Sequence, residues 1–149
     1  MANMRGQDGS FLVIFKDSSK QEIFLVYRTD YPVWVLSVGG IEPGETPEQS
    51  ARRETFEETG FKTKVTRFVG TYEYLHKKNY LFGGLYVSGT YKPEFKRNIG
   101  KWFSVHNLPP DITSSTRQKI FDALHHYGEP FLKTISNELP FFEDRKSVV

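Results

Sequence analysis

The sequence contains no cysteine. That excludes disulfides and thiolate metal sites, and it fits a reducing compartment. It has no apolar run near the roughly 18 residues that a membrane span needs. Its first ten residues are polar, without the apolar core of a signal peptide. Charge imbalance is also slight: 20 Lys and Arg against 18 Asp and Glu give a net +2, too little to argue for duplex DNA as a partner. Repeats and low-complexity tracts are absent. These absences point to a soluble, cytoplasmic chain with no membrane partner, and they leave monomer and homodimer both open.

What is present suits a folded enzyme. A length of 149 residues fits one domain spanning 1–149, large enough to bury a core without covalent staples. Hydrophobic residues make up 38% and charged residues 26%, a globular balance. Aromatic residues reach 15%, enough for a dense core with rings left for a flat ligand.

The apolar runs Phe11–Phe15 and Glu22–Arg28, separated by Asp17-Ser18-Ser19-Lys20, read as a hairpin. Val33–Val38 reads as a third strand, ending at Gly39-Gly40. A helix over Pro47–Thr59 is well punctuated: Thr46 and Gln49 form a capping box, Pro47 takes the first helical position and Gly60 closes it. Extended stretches follow at Lys64–Leu75, Tyr80–Tyr91 and Lys101–Val105. His76, Lys77 and Lys78 read as a polar turn between two of them, and Gly83-Gly84 as a bulge. A last helix is expected at about 116–127, with Ser115 and Gln118 as its capping box and Gly128 as its stop. The final twenty or so residues show no assignable pattern. Strands, a helix, strands and a helix is a sandwich order.

The chemistry concentrates in Gly39–Phe61, GGIEPGETPEQSARRETFEETGF. At about 100° per residue, Glu54, Glu57 and Glu58 share one arc of the helix. Three carboxylates on one face repel each other, and a divalent cation reverses the sign of that cost. Oxygen donors without cysteine or histidine suit Mg²⁺, with Mn²⁺ able to substitute. Gly39 and Gly40 let the backbone approach a ligand closely, and the Val38 carbonyl at this corner can join the metal shell. Arg53 carries a fork suited to holding a carboxylate, with Glu45 as its natural partner.

This stretch resembles the Nudix box. The places of its pattern are held by Gly39, Glu45, Arg53, Glu54, Thr55, Glu57, Glu58, Gly60 and Phe61. Seven of the invariant-type positions match in identity and spacing, against a chance expectation of about one in 10⁹ per start. Thr55 stands where an aliphatic residue is usual, Phe61 is bulky for its place, and Ser37-Val38 replaces the common Pro-Gly. None of these touches the carboxylates.

The resemblance implies an α/β fold: an α/β/α sandwich with a mixed sheet, a catalytic loop and helix at about 39–60, and the C-terminal helix at about 116–127. It implies a Mg²⁺-dependent hydrolase that cleaves the pyrophosphate bond of a nucleoside diphosphate linked to another moiety, or of a nucleoside triphosphate. Glu57 and Glu58 are then metal ligands, Glu54 a ligand or general base, and Arg53 and Glu45 orienting residues. Family members also recruit a carboxylate from a later loop; Glu94 is favoured for this over Glu73. Arg28 is a candidate phosphate clamp. Trp34 and Tyr74 are candidate contacts to the substrate, beside the Gly39-Gly40 backbone. The basic residues Lys92, Lys96, Arg97 and Lys101 read as a solvated loop that can steer an anion.

Subfamily signatures for a specific substrate are missing. An RNA 5′-end pyrophosphohydrolase is the alternative enzyme reading, and a non-catalytic nucleotide-sensing domain the alternative from another class.

Overall fold

The computed structural model describes residues 7–135. In chain order these form β1 (Gly9–Phe15), β2 (Glu22–Arg28), β3 (Val33–Val35), β4 (Ser37–Gly40), α1 (Pro47–Thr59), β5 (Lys62–Tyr74), β6 (Lys77–Ser88), β7 (Ile99–Ser104), α2 (Ser114–His125) and β8 (Phe131–Thr134). Eight strands make one mixed sheet, ordered β3-β2-β1-β6-β5-β8, with β4 beside β1 and β7 beside β2. The β1–β6 and β5–β8 pairs are parallel and the remaining pairs antiparallel.

Side-chain alternation along β1 separates two cores, because successive residues of a strand face opposite ways. Leu12 and Ile14 pack in one cluster with Ala51 of α1, Phe24, Phe61 and Phe82. Val13 and Phe15 pack in the other with Ile120 and Ala123 of α2, Leu25, Val69 and Leu81. One helix therefore covers each face, which is the α/β/α sandwich expected.

The sheet splits where the site forms. β1 and β2 pair only at Phe15 and Ile23 and then diverge. β3 fills the gap along β2, matching Val26 to Val35, and β4 fills it along β1, matching Ser10 to Gly39 and Phe11 to Val38. The single extended run expected over Val33–Val38 is thus two strands, broken at buried Leu36. The break arises because each half pairs with a different diverging neighbour, a tertiary condition that no local pattern encodes.

Other boundaries moved for identifiable reasons. The second helix is capped by Thr113, whose side chain accepts from the Thr116 N–H, and it ends at His125 with His126 as C-cap. The expected Ser115–Gln118 box and the Gly128 stop are not used. Burial of Ile112 and Thr113 fixes the earlier start. The β5–β6 turn is tighter than read: Tyr74 pairs with Lys77, leaving Leu75 and His76 at φ 50° and 66°, the signs a two-residue type I′ turn requires. The bulge lies in β5, opposite the Gly83-Gly84 pair: Val65 and Arg67 face Gly84 and Gly83 with Thr66 extra, its hydroxyl donating to the Gly83 carbonyl at 3.1 Å. The previously unassigned β8 docks parallel to β5. Residues beyond 135 lie outside the described part.

Candidate active site

The loop from β4 to α1 and the first three turns of α1 form one hydrogen-bonded unit. At its N-terminus the Thr46–Gln49 capping box is complete, with both reciprocal bonds formed, and Gly60 closes the helix at φ 80°. Arg53 is the hub. Its Nε and Nη2 reach the two oxygens of Glu45 at 2.6 and 3.0 Å, and Nη2 also donates to the Gly40 carbonyl at 3.1 Å. Its Nη1 reaches Glu54 at 3.1 Å and Glu57 at 3.3 Å. The guanidinium binds its proton more tightly than usual, chiefly through the bond to Glu45, and Glu45 is held below its ordinary range by the same contact. Ser50 adds a second tie, donating to the Gly40 carbonyl at 3.2 Å while accepting from Ser10 of β1.

Gly39 is needed for close approach. A Cβ there would lie 1.9 Å from the Glu54 side-chain carbon Cδ, so the absent methyl leaves the space that this carboxylate occupies. Glu54 is consequently only 4% exposed. Burial pushes its carboxyl up, against the pull of Arg53, and the charges of Glu57 and Glu94 push the same way.

Glu58 accepts from the Val38 N–H at 3.3 Å. Burial raises its carboxyl well above the usual glutamate range, and the charges of Glu54 and Glu94 add to this against the Val38 bond. Glu57, the third box glutamate, has a half-exposed side chain resting on Arg53. Among the described residues no three acidic or histidine side chains are drawn together as a closed ligand set. The donor set nevertheless fits a hard divalent cation. Its ligands are carboxylate oxygens, and two of them sit at a raised electrostatic cost that a cation would relieve.

Glu58 and Glu94 line a common cleft of about 1180 Å³, together with Val38, Arg28 and Tyr74. The cleft also reaches α2, where it meets Thr116 and Lys119. Arg28 is clamped by Asp30, with Nε donating at 3.0 Å, and Asp30 and the charge of Glu58 both favour its charged form. Glu73 does not line this cleft. It belongs to β5, pairs across from Lys78, and its backbone carbonyl accepts from Ile135. Trp34 is likewise turned away, its ring packed between Tyr27 and Phe103 at centroid distances of 5.0 and 4.8 Å. Its aromatic surface serves the core.

The cleft contains residues that pattern reading passed over, Asp30, Phe95, Asn98 and Lys119, beside the basic Lys96 and Arg97. Only Phe95 carried a usable signal, as an aromatic residue isolated between Glu94 and Lys96 in a polar loop.

Comparison with known proteins follows the same lines. A family model for the NUDIX domain matches residues 7–124. A protein of Bacillus subtilis (strain 168), provisionally named an 8-oxo-dGTP diphosphatase, is 32% identical over 117 residues, covering 76% of this chain and 77% of that protein. Diphosphoinositol polyphosphate phosphohydrolase 2 of Rattus norvegicus is 33% identical over 99 residues, 62% of this chain; the match spans 55% of the rat protein's length. Among solved structures, a NUDIX hydrolase from Nitrosomonas europaea superposes with a TM-score of 0.69 at 21% identity, covering 88% of this chain and 80% of that one. An ADP-ribose pyrophosphatase from Streptococcus suis 89-1591 gives 0.67 at 18% identity, covering 85% and 98%. The fold, the loop and helix at Gly39–Gly60 and the family match agree: this chain belongs to the Nudix family and is a pyrophosphohydrolase acting on phosphoanhydride bonds.

Proposed function

We propose that the protein is a Mg²⁺-dependent hydrolase of nucleotides, cleaving the diphosphate of a nucleoside diphosphate linked to another moiety or of a nucleoside triphosphate. Mn²⁺ should substitute. The observation that carries this reading is the joint placement of Glu58 and Glu94 on one cleft wall system that also holds Arg28. It brings acidic metal donors and a cation for phosphate to one concave surface.

In this reading Glu54, Glu57 and Glu58 hold the metal, with the Val38 carbonyl and Glu94 as further donors. The bound cation supplies charge neutralisation at the diphosphate and a lowered pKa for coordinated water. Arg53 and Glu45 act through Glu54 and Glu57, holding these side chains toward the loop. Glu54 serves either as a metal ligand or as the general base: it is buried and held by Arg53. Arg28 engages a phosphate oxygen, and the Gly39-Gly40 backbone and Tyr74 flank the substrate. Positioning and electrostatics then carry most of the rate.

A second reading, hydrolysis at an RNA 5′ end, is favoured by Lys77, Lys96 and Arg97 lining the same cleft, since these cations suit a longer polyanion. A turnover screen decides between them. It would compare nucleoside triphosphates, nucleoside diphosphate conjugates and triphosphorylated RNA, each with Mg²⁺ and with chelator. Chelator-sensitive phosphate or nucleotide release from the small substrates supports the first reading. Release from RNA alone supports the second, and turnover that ignores chelator contradicts both.

A further inference from the structure

Five successive residues of the β6–β7 connection, Glu94 to Asn98, line the cleft. Phe95 is unlike its neighbours. It is 50% exposed, and no other ring among the described residues packs on it. Of the cleft's other large rings, Tyr72 packs on Phe131 and bonds Asp122, Phe11 lies under the Lys119 ammonium, and Tyr74 lines the cleft at the end of β5.

The exposure is not slack chain. The Asn98 N–H donates to the Phe95 carbonyl at 2.9 Å, closing a turn, and Pro93 fixes the backbone just before it. An apolar ring is thus held toward water on an ordered support, forgoing the gain that burial would bring. Its position is also near the chemistry. The preceding residue, Glu94, lines the same cleft as Glu58, so the turn opens onto the cavity that the carboxylate cluster borders. Lys96 and Arg97 follow at once.

We infer that Phe95 is a specificity-determining residue whose ring stacks on the nucleobase of the substrate. A flat aromatic ligand recovers the burial that the free ring lacks, and stacking tolerates different bases because each presents a π-face. Lys96 and Arg97 then lie where the attached phosphates need positive charge. This rests on the nucleotide reading above and deepens it: the base is gripped from the β6–β7 turn, and Trp34 has no part in it.

The test compares wild type, Phe95→Ala and Phe95→Trp with Mg²⁺ and a nucleotide substrate. Inorganic pyrophosphate, which has no ring, serves as a competitive inhibitor. Phe95→Ala should raise KM for the nucleotide about tenfold to a hundredfold with kcat little changed, and the Ki of pyrophosphate should stay put. Phe95→Trp should restore KM. An unchanged nucleotide KM in Phe95→Ala, or an equal rise in the pyrophosphate Ki, overturns the stacking role while leaving the nucleotide reading intact. A wild-type enzyme that cleaves only ring-free diphosphates, such as a diphosphoinositol polyphosphate, overturns the nucleotide reading itself and the stacking role with it.

Discussion

Arg53 grips Glu45 with two nitrogens, Nε at 2.6 Å and Nη2 at 3.0 Å, and keeps Nη1 for Glu54 and Glu57. One guanidinium therefore ties the loop before α1 to two acidic side chains of α1. A lysine preserves the charge but lacks the fork. Arg53→Lys should lower kcat by at least about tenfold, the loss of roughly one charge-assisted bond in energy. Circular dichroism should remain native. Full activity in this variant would show that Arg53 does not position the carboxylates.

Gly39 and Glu54 make a second coupled pair. A methyl on Gly39 would occupy the space of the Glu54 side chain, and that side chain can swing away more easily than the strand can. Gly39→Ala should cost about 1–3 kcal/mol of stability at most while removing most turnover. Retained activity, or a variant that unfolds, would contradict the account of why a glycine stands there.

These relationships differ in how far the sequence discloses them. The α1 unit is local: Thr46, Pro47, Gln49 and Gly60 all lie within one helix length, and its span is Pro47–Thr59 as read. The Arg53–Glu45 bond is eight residues apart and follows from the loop's size. The break at Leu36 depends on β1 and β2 diverging, and the placement of Glu94 on the cleft and of Glu73 off it depends on which strand pairs with which; neither is a property of nearby residues. The N-cap of α2 is Thr113 and not Ser115, with the buried Ile112 just before it fixing the earlier start. The packing of Trp34 is not local either: Phe103, one of its two ring partners, is 69 positions away in sequence.

Thr55 is fully buried and its hydroxyl has no hydrogen-bond partner among the described residues. Replacing it by an isosteric apolar residue removes the desolvation cost of an unsatisfied group, about 1–3 kcal/mol. Thr55→Val should raise the melting temperature, with kcat and KM unchanged. Destabilisation would show that the hydroxyl is satisfied in solution.

Glu58 supplies a pH signature in the metal-free protein. Its folded carboxyl is raised well above the ordinary value of 4.5, so the folded state holds the proton more tightly than the unfolded chain. The associated stability is fully present below about pH 4.5 and is lost as pH rises through the folded pKa. Glu58→Gln cannot ionise. With chelator present, the melting temperature of Glu58→Gln minus that of wild type should therefore grow from pH 4.5 toward neutrality. A difference that stays flat with pH would mean that Glu58 is solvated and not strained.

The carboxylate cluster on α1 is the reacting centre in this account, and kcat of Glu58→Gln at saturating Mg²⁺ tests that most directly. The substitution keeps size and helix propensity while removing one charge from a mutually repelling set. The variant should fold, should melt no lower than wild type in chelator, and should lose about 10²–10⁴ in kcat. Hydrolysis at the wild-type rate by a folded Glu58→Gln would place the chemistry elsewhere in the chain.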